Sequence, residues 1–398
     1  MSLSGKSRET LKNVSDTEAY NVYDFVFSKA LRSLSHVVGV KKLTRPFWDR
    51  WRASNLGDDT IFRFLDGVRT IDNWPQVGAR IVAEEIAAFE AKRPSLPVSQ
   101  TVDGLRRLSY LCHMAQWGTL PLNDDKVRTY TLCRDFYIEA ETLAFAENYQ
   151  RVTVPWRGQK LFGNLHIPRA VADTRPAPVI VLIHGIDGCK EEHLATELAL
   201  VAAGFCVLVL DGPGQAEALL LSGILWTEDF YKIVGMALDV VQDARVDTSR
   251  VGLVGISIGG MWALKAASVD ARVKALYDLG GPINTRAFPH LPFLIKTKLC
   301  QVTGARDSTS IAEVLGKNSI EDDDVLGAVT AAVRMIHGGN DRVVSVPDKQ
   351  WLRDKLLSFG RTSDVSLEII AGGDHCCTGH AGWVRDDMIA FFRRTLGS

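Results

Sequence analysis

Apolar positions along the chain keep two different rhythms. From about Glu18 to Gln150 they recur every three or four residues, as at Val77, Ile81, Val82, Ile86 and Phe89, which is the spacing of amphipathic helices. Few β-branched runs interrupt this stretch, and Pro94 and Pro97 mark a break between helices. Trp48, Trp51, Trp74 and Trp117 also lie here. They are expected to pack in a core, with the lining of a cleft as the alternative.

From Arg151 the rhythm changes. Short apolar runs at Val179–His184, Cys206–Asp211, Val251–Gly255, Val273–Leu279, Val333–His337 and Val365–Ile370 read as strands. Amphipathic stretches at Glu191–Ala203, Phe230–Arg245 and Asp348–Phe359 read as helices between them. This alternation predicts parallel strands joined by crossover helices, and strands apolar at every position predict a sheet covered on both faces. Gly158–Gly163 is expected to turn an antiparallel hairpin that opens the sheet, and Gly281–Val325 breaks the rhythm as a lid or connector would. A chain of 398 residues exceeds what one compact core usually holds. The expected division is a helical cap over 1–150 and an α/β catalytic domain over 151–398, with a lid-like segment near 281–330.

Composition narrows the partners. A net charge of -1 gives no electrostatic case for nucleic acid or an anionic membrane surface, so a small-molecule substrate is expected. Apolar stretches of about seven residues fall far short of a membrane span. The polar first ten residues offer no signal peptide. Seven cysteines, an odd number without a disulfide spacing, point to a reducing cytoplasm.

The sharpest chemical signal is Gly255-Ile256-Ser257-Ile258-Gly259, followed by Gly260. It sits between a strand over Arg250–Val254 and a helix over Met261–Ala267. A serine on such a strained strand-to-helix turn projects its hydroxyl into open space, and small neighbours let the backbone turn tightly. The helix N-terminus adds a field that favours a developing anion. Ser257 is therefore the expected nucleophile. The N–H of Ile258 supplies one oxyanion donor. The second is assigned to Ile186, in the loop His184-Gly185-Ile186-Asp187-Gly188 that follows a strand. His184 itself reads as structural.

The base should come late, in the order Ser, Asp, His. Gly372-Gly373-Asp374-His375 offers His375, with His380 as its rival and Asp374 as a helix cap. Gly338-Gly339-Asn340-Asp341 follows the preceding strand and offers Asp341, with Asp278 as the fallback. The cluster His375, Cys376, Cys377 and His380 invites a zinc site, but adjacent cysteines seldom ligate one tetrahedral ion. No metal is expected. The intact serine turn argues against a cysteine nucleophile. Asp211-Gly212-Pro213-Gly214-Gln215 lacks a full dinucleotide fingerprint, so no cofactor is expected either.

Together, His184-Gly185-Ile186-Asp187-Gly188-Cys189-Lys190-Glu191-Glu192, Asp211-Gly212-Pro213-Gly214-Gln215, the Ser257 pentapeptide with Gly260, and Gly373-Asp374-His375-Cys376-Cys377 resemble the FrsA-like α/β-hydrolases. That family includes carbon–carbon bond hydrolases of bacterial nicotine breakdown and fungal enzymes that shorten a heptaketide naphthopyrone. The resemblance covers the chain from about Val152 onward and, more weakly, the N-terminal half. It implies an α/β-hydrolase fold, a mostly parallel doubly wound sheet with an N-terminal helical cap. It also implies Ser257, Asp341 and His375 as triad, and homodimers. The proline-bearing segment after Gly281 (Pro282, Pro289, Pro292) departs from the nicotine enzymes, and a nicotine-derived substrate is not implied. The expected reaction is acyl-enzyme hydrolysis of a carbon–carbon bond beside a carbonyl, in an aromatic ketone, β-diketone or polyketide-like substrate. A carboxylesterase or an acyl-transferring or cyclising enzyme is the alternative, and a non-catalytic binding protein the reading from another class. Trp226, Tyr231, Arg286 and His290 are weaker candidates for substrate contact.

Overall fold

The computed structural model describes residues 29–120, 122–284, 293–305, 311, 313, 314, 316, 317, 319–362 and 364–397. The helical rhythm becomes α1 (Lys29–Val38), α2 (Val40–Leu43), α3 (Trp48–Ala53), α4 (Asp58–Gly67), α5 (Trp74–Lys92), α6 (Val98–Gly118) and α7 (Asp124–Phe145). Pro94 sits in a short 3-10 turn between α5 and α6, and Pro97 precedes the first residue of α6, where its missing N–H costs nothing. Asn123 caps α7 by accepting from the Lys126 N–H at 3.0 Å. Trp51, Trp74 and Trp117 are buried and pack with ring centroids 5.8–6.4 Å apart. They are core residues, as expected from the sequence.

Eight strands form one sheet: β1 (Tyr149–Trp156), β2 (Gln159–His166), β3 (Ala177–Ile183), β4 (Cys206–Asp211), β5 (Val246–Ile256), β6 (Val273–Leu279), β7 (Ala332–Gly338) and β8 (Val365–Ile370). Their order is β1-β2-β4-β3-β5-β6-β7-β8. β1 and β2 pair antiparallel, β2 joins β4 antiparallel, and every later pairing is parallel. β3 and β4 are buried along their whole length, because helices cover both faces. Those of the second half are α8 (Leu194–Ala202), α9 (Ala216–Ser222), α10 (Ile233–Val240), α11 (Ile258–Val269), α12 (Phe293–Thr303), α13 (Asp323–Gly327), α14 (Val346–Ser358) and α15 (Ala381–Leu396).

Some boundaries differ from the sequence reading. The hairpin turns at Arg157-Gly158, while Gly163 lies inside β2 under the Leu210 side chain. The helix expected over Glu191–Ala203 starts as a 3-10 turn over Lys190–His193. The one expected over Phe230–Arg245 ends at Val240, because Asp243 turns the chain by accepting from the Arg245 N–H at 3.0 Å. β5 starts at Val246, ahead of the apolar run that announced it, and its register against β3 shifts after Pro178.

The strand order reverses at β3, which lies between β4 and β5. In an open parallel sheet the loops leaving the carboxyl ends of strands at such a switch diverge and leave a crevice. Here the loop after β3 carries Ile186 and the turn after β5 carries Ser257.

Candidate active site

Ser257 adopts φ 55 and ψ −131 at the β5–α11 turn. That conformation is strained for a side-chain-bearing residue and persists because its surroundings dictate it. The Ser257 N–H donates to the Leu279 carbonyl at 2.9 Å, tying the turn to the end of β6. A Cβ on Gly259 would run into the Ile183 carbonyl oxygen, and one on Gly255 into the Gly260 backbone. The two glycines therefore allow the turn to close against β3.

The loops after β7 and β8 bring the other two residues. The ring of His375 bridges the site, with Nε2 2.9 Å from Ser257 Oγ and Nδ1 2.8 Å from Asp341 Oδ2. Asp341 Oδ1 accepts from the N–H groups of Val343 and Val344 at 2.7 and 3.0 Å. Burial alone would raise the Asp341 pKa, but His375 and these amides hold it below the usual carboxylate value. Burial also acts to lower the His375 pKa. The neighbouring Cys376 sulfur and the Asp341 carboxylate outweigh it, and the net direction is well above the ordinary histidine value.

Ile186 and Ile258 flank Ser257 on the cavity wall. Among the described residues neither N–H donates to another backbone carbonyl, and Ile258 opens α11, where no intrahelical partner exists for its N–H.

The rivals lie elsewhere. Asp278 is buried, bound by Lys349 and by the Gly281 N–H at 2.8 Å. Asp374 caps the next turn by accepting from the Thr378 N–H and hydroxyl, both at 2.9 Å. His380 immediately precedes α15. His184 is fully buried and donates from Nε2 to Asp211 at 2.8 Å, with Gln215 Nε2 lying 3.2 Å from its Nδ1. Cys376 and Cys377 take φ values of 60 and 49, and burial pushes the Cys377 thiol up to about 12. Trp226 is buried beside Trp262, and neither it nor Tyr231 is among the described residues of the cavity wall. Arg286 and His290 lie outside the described residues.

Three carboxylates, Glu191, Asp211 and Glu217, converge closely enough to ligate one ion. Lys190 Nζ stands among them at 2.8, 2.9 and 2.7 Å, so an ammonium already occupies the space where an ion would sit.

Ser257 and His375 open onto a cavity of about 1100 Å³ with a largely apolar wall. Leu43 and Phe47 come from the N-terminal part, Leu299 from α12 and Met388 from α15. α3 also packs on the turn that carries His375. Sequence reasoning missed Phe47 and Arg50 on this wall. Their only signal was membership of an aromatic and basic run, which does not distinguish a lining residue from a surface one.

A mostly parallel eight-stranded sheet, a strained serine after β5 and a helical layer over the strand ends define an α/β-hydrolase fold. The chain belongs to the dienelactone hydrolase family, whose profile matches residues 164–378. It is 24% identical over 224 residues to the 2,6-dihydropseudooxynicotine hydrolase of Paenarthrobacter nicotinovorans, covering 54% of this chain and 59% of that one. It is 33% identical over 142 residues to the hydrolase acrC of Aspergillus aculeatus, covering 31% and 33%. The chain thus spans between a third and three-fifths of the length of these relatives. The crystal structure of the 2,6-dihydroxy-pseudo-oxynicotine hydrolase superposes with a TM-score of 0.75 at 20% identity, over 88% of this chain and 95% of that one. That match extends the shared fold into the N-terminal helices.

Proposed function

We propose that this chain is a serine hydrolase that cleaves a carbon–carbon bond next to a carbonyl, in an aromatic ketone, β-diketone or polyketide-like substrate. The observation that carries the reading is the unbroken line from Ser257 Oγ through His375 to Asp341, 2.9 and 2.8 Å long, at the wall of an apolar cavity. Its size suits a multi-ring substrate.

His375 takes the Ser257 proton as Oγ attacks the ketone. The N–H groups of Ile186 and Ile258 hold the oxyanion, each contributing about 3–4 kcal/mol to the transition state. Collapse breaks the carbon–carbon bond, and the departing enolate or aryl carbanion takes the proton from His375. Water, deprotonated by His375, then attacks the acyl-serine and releases an acid. The net reaction consumes one water and yields an acid and a ketone or arene. The described helices α1 to α7 serve as a cap that keeps water from the carbanion, with α12 as part of a lid, while residues 1–28 and 285–292 of the expected cap and lid lie outside the described residues. The enzyme works as a homodimer in the cytoplasm. Support for the carbon–carbon reading comes from the motif resemblance and from the pseudooxynicotine hydrolase relative.

The test is product analysis by mass spectrometry on matched aryl esters and aryl 1,3-diketones, with wild type and Ser257→Ala. Acid plus ketone from the diketone, lost in S257A, is the expected result. Turnover of esters alone would make the enzyme a carboxylesterase. No serine-dependent product from either, with no fluorophosphonate adduct on Ser257, would overturn the reading in favour of a binding protein.

A further inference from the structure

The residue that follows Ile186 is Asp187, and its carboxylate is held from outside the sheet. Asp187 Oδ2 accepts from Arg50 Nη1 at 3.0 Å and from Trp117 Nε1 at 2.8 Å, and Lys298 Nζ lies 3.6 Å away. These donors sit on three elements distant in sequence: α3, the end of α6, and α12. Burial acts to raise the Asp187 pKa, but Arg50 and then Lys298 reverse it, so the group is held well below the carboxylate range and stays charged. Lys298 Nζ also lies 3.7 Å from the centroid of the Trp117 ring, and burial pushes its pKa well below the ordinary lysine value against the pull of Asp187.

Arg50 reaches further. Its Nη2 donates to Glu192 Oε2 at 2.8 Å and its Nε to Glu192 Oε1. Glu192 stands on the 3-10 turn that follows the Ile186 loop. One guanidinium therefore grips the loop at Asp187 and again at Glu192. A planar fork of this kind fixes geometry as well as charge. On the sheet side the loop is held by Gln215, whose Nε2 donates to the His184 and Gly185 carbonyls at 2.9 and 3.0 Å. Within the loop the Gly188 N–H reaches the Gly185 carbonyl only at 3.4 Å. The Gly185 carbonyl belongs to the same peptide as the Ile186 N–H, so Gln215 holds that peptide on the sheet side, and Arg50 holds its far flank through Asp187 and Glu192.

We propose that Arg50 and Asp187 are positioning residues that set the Ile186 N–H, so that docking of the N-terminal helices and α12 completes the oxyanion hole. The inference rests on the serine-hydrolase reading. Neither residue needs to touch the reacting atoms. Both act on the oxyanion, which exists only in the transition state, so their loss falls on kcat and leaves KM in place.

The experiment compares wild type, Arg50→Lys, Asp187→Asn, Lys298→Met and Ser257→Ala with p-nitrophenyl butyrate. Two affinities are measured beside kcat and KM. One is for a phenyl-bearing trifluoromethyl ketone, whose serine adduct carries an oxyanion. The other is for butyrate, a carboxylate that forms no covalent adduct with the serine and so no tetrahedral oxyanion. R50K keeps the charge and loses the fork. D187N keeps an acceptor for Trp117 and loses the charge. Near-ultraviolet circular dichroism selects the variants that fold, and R50K and D187N are conservative enough that at least one supplies the reading. The expected result for R50K and D187N is a kcat lower by about 10- to 100-fold, with trifluoromethyl ketone affinity falling in step. KM and butyrate affinity stay near wild type, and K298M shows a smaller loss of the same kind. Folded variants that keep wild-type kcat, or that lose KM and butyrate affinity instead, would overturn the inference. If wild-type turnover survives S257A, the serine-hydrolase reading fails and this one with it. Serine-dependent turnover that ignores Arg50 and Asp187 removes this inference alone.

Discussion

Two histidine–aspartate pairs lie in this molecule at the same separation, 2.8 Å, and the sequence offers both beside strand ends. His375 and Asp341 meet at the cavity, where the histidine side chain keeps 28% of its exposure and its second nitrogen faces Ser257. His184 and Asp211 meet at full burial. The second aspartate also binds Lys190 Nζ at 2.9 Å and the Lys190 and Glu217 N–H groups at 2.9 and 3.1 Å. The His184 ring nitrogen left over faces Gln215 and the Gly185 carbonyl. The first pair has a free end and an acceptor with no competing cation. The second has every polar position taken. A histidine beside a carboxylate is thus equally compatible with proton transfer and with structural cross-bracing. What separates them is the third partner and access to a cavity.

Mutation of each pair should separate the two roles, and the largest effect falls on the first. Ser257→Ala is expected to cut kcat on the order of 10⁶-fold, and Asp341→Asn about 10⁴-fold. Both should leave the unfolding transition close to wild type, as read by stopped-flow kinetics beside urea titration. Asp211→Asn should do the reverse. Removing a buried charge that Lys190 and His184 hold well below the carboxylate range is expected to cost about 3–5 kcal/mol of stability. The fraction that folds should turn over much faster than Asp341→Asn. Equal loss of activity in the two aspartate variants would dissolve the distinction.

How much of this was legible in the sequence follows from the same contrast. That Ser257, Asp341 and His375 meet was readable because a tight strand-to-helix turn and two strand-end loops impose local rules: small residues where backbones touch, and a fixed chain order. The central strands were readable because burial on both faces leaves no polar position. The helix ends near Lys190 and Val240 were not, since a 3-10 start and an aspartate turn compete with helix over only a few residues. Arg50 was illegible for a different reason. Its partner Asp187 lies 137 residues away, and no local pattern announces a pairing made by docking one layer on another. Lys190 inside three carboxylates is a similar case, because a run of Lys-Glu-Glu reads as a solvated helix face until the fold buries it.

The smallest effect lies in the pH profile, and it sharpens the comparison among histidines on the cavity wall. In the proposed mechanism His375 must be neutral to accept the Ser257 proton. Its pKa is raised above the ordinary 6.5, so activity is present at high pH and is lost as pH falls through a value above 6.5. The acid limb of kcat/KM should therefore lie on the alkaline side of 6.5. His193 lines the same cavity, but burial pushes it down to about 3, so it stays neutral throughout and adds no limb near neutrality. Asp341→Asn removes an anion that favours the imidazolium, and the residual activity should show its limb moved to lower pH. Cys376→Ala should move it in the same direction, since the Cys376 sulfur also favours the imidazolium. A limb that stays in place in Asp341→Asn would mean that another group limits the reaction, and the proposal that His375 is the base would fail.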